Sequence, residues 1–233
     1  MGRLATSLFV LGFSASCVSA GSRPGTPGAY PTFPSTAGAP DQEDHQVRDR
    51  RARVAQEAAR LVGQAEVRHP SHRVADDCAG LVRAAYMPTG VDPFSAHARE
   101  GASGVERLYA YARQRGALHH AVRPHVGDLA FFHDTYDRNG DGQHNDPLTH
   151  VAVVERVDPD GTVVLVHRVE QGVVRQRMNL LHPGARRDPR TGKTWNHFLR
   201  RGEHGVPART SGELFAGFAT LHVDTSTQVL AAR

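Results

Sequence analysis

Thr149-His150-Val151-Ala152-Val153-Val154-Glu155-Arg156-Val157 opens a series of three apolar segments that continues with Gly161 to Val169 and Gly172 to Met178. Each is short, rich in valine and separated from the next by a turn, which is the signature of strands that follow one another in an antiparallel sheet. Asp128 to His133 has the same texture just upstream. Farther upstream the periodicity changes. Val47, Val54, Ala58, Leu61 and Val62 recur at spacings of three, four and seven among charged residues, so a helix begins near Asp44. A second helix is expected from Asp77 to Tyr86, capped by Asp76 or Asp77 and stopped by Met87-Pro88-Thr89-Gly90. A third fits Ser103 to Arg115, ended by Gly116. Helices followed by strands give an α+β class, with N-terminal helices packed on a mostly antiparallel β-sheet. Trp195 to Leu199 and Glu213 to Leu221 have no clear period and read either as a last strand or as a cover for the sheet.

The 233 residues suit one moderate domain with tails. At 39% hydrophobic and 22% charged, with a mean hydropathy of -0.45, the chain is neither wholly disordered, nor collagen-like, nor a polytopic membrane protein. Its 28 Lys and Arg against 24 Asp and Glu are spread without a long basic block, so no nucleic-acid partner is implied. Residues 1–20 read as a signal peptide, with a basic start, a short apolar run and a small-residue cleavage site at Val18-Ser19-Ala20. Ser14-Ala15-Ser16-Cys17 also resembles a lipoprotein signal box, with Ser14 where Leu is usual. Two routes stay open: removal of Cys17 with the signal, or membrane anchoring through a lipidated Cys17. Residues 21–43 hold five prolines among Gly, Ser, Thr and Ala and read as a disordered linker. The folded domain is expected over residues 44–233, as a monomer.

With two cysteines there is no disulfide framework, and Cys78 is the one certain to remain after export. It follows Asp76-Asp77 at a helix start, where unpaired amides and the helix dipole are expected to stabilise a nucleophilic thiolate. A buried structural thiol is the competing reading. A cysteine nucleophile needs a base that titrates near neutrality. His150 opens an apolar strand and His167 lies in the next one, so one imidazole could orient the other across the sheet.

Taken as a set, Asp77-Cys78-Ala79-Gly80-Leu81-Val82, Val126-Gly127-Asp128-Leu129-Ala130-Phe131-Phe132, His150-Val151-Ala152-Val153-Val154 and Val166-His167 resemble the NlpC-type papain-like cell-wall peptidases, relatives of the CHAP amidases. The resemblance spans about residues 46 to 182. It implies a papain-like fold, Cys78 as nucleophile, His150 as general base and His167 as the residue that orients it. It also implies hydrolysis of amides in peptidoglycan stem peptides. Residues 66–73 lack the Tyr and Trp-Gly-Gly pattern usual in that family. Asp128 belongs to a strand-starting motif and reads as structural.

Between Phe132 and His150 the chain carries an insertion, residues 134–147. Within it Asp137, Asn139 and Asp141 alternate, Gly142 follows, and Gln143 and Asp146 could complete an oxygen shell for calcium. A solvated turn of the same composition is the alternative. The twelfth position from Asp137 is Leu148 and a strand follows, so this is no EF-hand. His119, His120, His125, His133 and His144 have no HExxH or paired CxxC beside them, and catalytic zinc is not expected. The resulting expectation is an exported cysteine peptidase or amidase of the periplasm or cell envelope, with structural calcium and no organic cofactor. Two rivals are a catalytically silent, calcium-dependent envelope-binding module and a cysteine amidase or acyltransferase acting on another amide.

Overall fold

A computed structural model of the chain describes residues 45–95, 100–202 and 205–222. The expected signal peptide, the linker and Cys17 lie outside the described residues. Among those described, no helix is long and apolar enough to cross a membrane.

Three helices precede the main strands: α1 (His45–Arg60), α2 (Cys78–Tyr86) and α3 (Gly104–Gln114). In α1, Val47, Val54, Ala55 and Ala58 form the buried stripe that its spacing demands. α2 starts at Asp77, whose carboxylate accepts the Gly80 amide at 2.7 Å. α3 has a full capping box, in which Ser103 and Glu106 each take the other's backbone N–H. A glycine is required at position 80, because a Cβ there would sit 1.9 Å from the Ala75 carbonyl oxygen. That contact presses the first turn of α2 against the chain leading into it.

Eight strands follow: β1 (Leu118–His119), β2 (Leu129–Phe132), β3 (His150–Val157), β4 (Val163–Val169), β5 (Gly172–Met178), β6 (Phe198–Arg200), β7 (Arg209–Thr210) and β8 (Phe215–Ala219). Six form one antiparallel sheet in the order β1-β8-β2-β3-β4-β5. β6 and β7 pair separately. The fold is therefore α+β, as the sequence implies.

Both faces of the sheet are covered, and the alternation of side chains separates two cores. Leu129, Phe131, Val151, Val153 and Val166 face the helices and pack with Val54, Leu81 and Leu108. Ala130, Phe132, Ala152, Val154 and Leu165 face the other way with Met178 and Phe218 of the same sheet, and Leu199 and Leu214 pack against them. The two ambiguous C-terminal segments thus do both things open to them. β8 enters the sheet between β1 and β2, while the segment around β6 takes part in covering the second face.

Candidate active site

Cys78 is the first residue of α2 and lines a cleft of about 310 Å³ together with Ala79, Ser103, Tyr136, His150 and Arg168. The helix is aimed there by the Asp77 cap and held by Ala79, which is buried in the helix-side core. His150 is the first residue of β3, opposite Phe132 of β2, and is only 8% exposed. His167 lies on β4 and is 2% exposed. Residues 150, 152 and 154 share one face of β3, while Val151 and Val153 face the helices. A diagonal across β3 and β4 then brings the two imidazoles together: His150 Nε2 and His167 Nδ1 are 2.8 Å apart, with the rings edge to face.

The structure thus brings Cys78 and His150 to one cleft and joins His150 to His167. It forms no hydrogen bond between the Cys78 thiol and the His150 ring; the thiol instead receives the Val151 amide. Burial is the largest influence on all three groups. It pushes the Cys78 thiol up to about 11, with the Asp77 carboxylate adding to the rise and the Val151, Ala79 and Cys78 amides opposing it. Burial likewise lowers His150 to about 4 and takes His167 well below its ordinary value, which the nearness of the His150 and His197 rings lowers further. The expected stabilised thiolate is corrected here. Removal from water outweighs the helix-start amides, one of which, that of Gly80, is already taken by Asp77. The resting pair is a neutral thiol and a neutral imidazole.

Several residues of the cleft have no motif to announce them. Tyr136, from the insertion, is 52% exposed and lines the cleft beside Cys78. Arg168 makes a two-pronged ion pair with Asp76, both contacts at 2.9 Å, which ties β4 to the chain just before the nucleophile. The alternation of β4 was the available signal for Arg168, since it must point away from His167. Asp128 sits at the other end of β2, buried, accepting the His125 amide at 2.8 Å and facing His119 Nε2 at 3.2 Å. That placement is structural. His72 is exposed and His69 half-buried, with their rings 4.9 Å apart.

The insertion is clasped at its base. Asp134 N–H donates to the Asp146 carbonyl at 2.8 Å, Leu148 N–H donates to His133 Nδ1 at 3.0 Å, and Arg200 donates to Asp134 at 2.7 Å. Asp134 and Leu148 both adopt left-handed backbone, with φ of 54° and 50°, at the two ends of the loop that leads into His150. Within the loop, Asp137 accepts the Gly140 and Gly142 amides, Asn139 accepts the Asp141 amide, and Asp141 accepts the Gln143 amide. Asp146 does not join them. It is 3% exposed and accepts the Arg138 amide at 2.8 Å. Among the described residues no three His, Cys, Asp or Glu side chains converge to hold a metal.

No curated protein matches the chain. A crystal structure from Staphylococcus aureus, described as similar to lipoprotein and of the NLP/P60 family, is similar at 22% identity over 59% of this chain and 39% of that one, with a TM-score of 0.32. At that distance the likeness carries no argument about this chain. Residues 69–168, the segment that holds Cys78, His150 and His167, match the CHAP domain family.

Proposed function

We propose that the protein is an exported cysteine hydrolase that cleaves amide bonds in peptidoglycan stem peptides. The observation that carries this reading is the placement of His150 between Cys78, in the shared cleft, and His167, at 2.8 Å. The CHAP match over the same residues supports a peptidoglycan-hydrolase type of activity.

The tautomers follow from the geometry. For His150 to act as base through Nδ1, its proton must be on Nε2, donated to His167 Nδ1. As Cys78 sulfur attacks the amide carbon, its proton passes to His150 Nδ1 and a C–S bond forms. The oxyanion is met by the backbone N–H groups of Cys78 and Ala79 at the start of α2. His150 then gives the proton to the leaving nitrogen, the C–N bond breaks, and an acyl-thioester and a free amine result. In the second half His150 takes a proton from water, hydroxide adds to the thioester carbon, and the C–S bond breaks. The thiol regains its proton from His150 and the acid product departs. Burial keeps both partners neutral at rest, so charge separates only during attack.

Export, with or without an anchor at Cys17, belongs to this proposal. So does a calcium ion on the insertion, which would use the alternating oxygens of Asp137, Asn139 and Asp141 with the Gln143 carbonyl and the Asp146 carboxylate, and which no step of the reaction needs. The test of the activity is digestion of purified peptidoglycan by the wild type and by Cys78→Ala. New fragments from the wild type alone support the assignment; equal fragments from both remove Cys78 as nucleophile.

A further inference from the structure

His150 is a wall shared by two cavities. The first holds Cys78; the second, of about 910 Å³, adjoins it along Tyr136, His150, Arg168, Val169 and Glu170, and is lined by His167 but not by Cys78. Tyr136 closes one part of this second cavity and the β6 segment another, through Phe198, Arg200 and Arg201. The β6 segment falls outside residues 69–168, so the matched family region does not include this wall.

Chemistry gives the two cavities different tasks. The amide carbon must sit at the Cys78 sulfur, whereas the leaving nitrogen must face His150, which protonates it. The chain carrying that nitrogen then runs past His150 into the second cavity. The lining there suits a peptide with apolar and anionic groups. Tyr136, Phe198 and Val206 are exposed at 52%, 46% and 36%. Four arginines, at 168, 175, 200 and 201, stand against Asp137 and Glu170. Arg168, Arg175 and Arg200 are held by Asp76, Glu155 and Asp134. Asp137 is occupied by two loop amides. Arg201 is exposed and makes no ion pair with a described residue.

We propose that the second cavity is the subsite for the amine side of the scissile amide, and that Arg201 receives the terminal carboxylate of the departing peptide. The proposal rests on the hydrolase reading above and adds the chemical class of the leaving group. It assigns substrate selectivity to a wall that the matched region lacks.

The test uses a soluble muropeptide, N-acetylmuramoyl-L-Ala-γ-D-Glu-L-Lys-D-Ala, with its terminal carboxylate either free or converted to the carboxamide. With Arg201→Gln, KM for the free acid is expected to rise roughly ten-fold, the scale of one charge-assisted contact, while the carboxamide is processed as by the wild type. Equal effects on both probes, or no effect on either, overturn the subsite. Binding of the same probes to Cys78→Ala, with and without Arg201→Gln, separates the two claims. If the wild type cleaves neither probe but binding of the free acid still weakens with Arg201→Gln, the hydrolase reading falls and with it the leaving-group role of the cavity, while carboxylate binding at Arg201 stands. Binding that ignores Arg201 removes the subsite whatever the activity.

Discussion

His150 Nε2 lies 2.8 Å from His167 Nδ1, and this contact decides which nitrogen of His150 is free to meet the thiol. One of the two nitrogens must carry the proton, and only the arrangement with the proton on His150 Nε2 leaves Nδ1 as a base. His167 is thus a positioning residue. His167→Ala is expected to lower kcat/KM by about 10²-fold, within the usual range for disturbing a general base. His167→Gln offers a carbonyl oxygen to the same N–H and is expected to recover part of the loss. An Ala and a Gln variant that fold alike and are equally impaired would show that His167 only fills space.

The neutral resting thiol has a direct chemical signature. With Cys78 pushed up to about 11, alkylation by iodoacetamide is expected to be slow at pH 7 and to accelerate about ten-fold per pH unit from there toward pH 10, because the thiolate is the reacting form. A rate that is already on a plateau between pH 5 and 8 would mean that a thiolate and an imidazolium are paired at rest.

Burial of neutral histidines also sets how stability depends on pH. His150 ordinarily titrates near 6.5 and is lowered to about 4 in the fold, with His167 shifted the same way. Between these values the unfolded chain binds more protons than the folded one. The stabilisation is therefore complete above the unfolded pKa and is lost as pH falls toward the folded value. For His150 alone the change amounts to about 3 kcal/mol. Tm is expected to fall between pH 6.5 and 4, and to fall less steeply in His150→Gln. An identical slope in the variant would assign the acid sensitivity to other groups.

Calcium is tested by its linkage to folding. If Asp137, Asn139 and Asp141 hold the ion, chelation lowers Tm by a few degrees in the wild type and leaves an Asp137→Ala, Asp141→Ala variant unchanged, because only a ligand bound to the folded state stabilises it. Equal responses of the two proteins would leave the loop as a hydrogen-bonded turn with no metal.

The main strands were legible because short valine-rich segments divided by turns allow little else. Gly172 to Met178 matches β5 from end to end, and the other main strands differ from their expected bounds by a residue or two. The three helices were legible from apolar spacing and, for α2, from its Asp77 cap; the third, expected over Ser103 to Arg115, runs Gly104–Gln114 with Ser103 as its cap. What local pattern cannot carry is pairing between distant segments. β8 lies between β1 and β2, yet nothing near Phe215 names those partners, and the two-residue strands Leu118–His119 and Arg209–Thr210 are too short to have a period. The meeting of His150 and His167 could be anticipated because the two strands are consecutive. The electrostatic state of Cys78 could not: it depends on how much of the fold closes around the thiol. The second cavity was invisible for the same reason as β8, since its walls come from Tyr136, His167 and Phe198, far apart in the chain.

The measurement that bears most directly on the central claim is mass spectrometry of muropeptides released from purified peptidoglycan by the wild type and by Cys78→Ala. The account predicts fragments whose masses correspond to addition of one water across a stem-peptide amide, formed by the wild type and absent with Cys78→Ala at equal Tm. Wild-type protein that is folded and releases no such fragment, or a Cys78→Ala protein that releases them as fast, would contradict it.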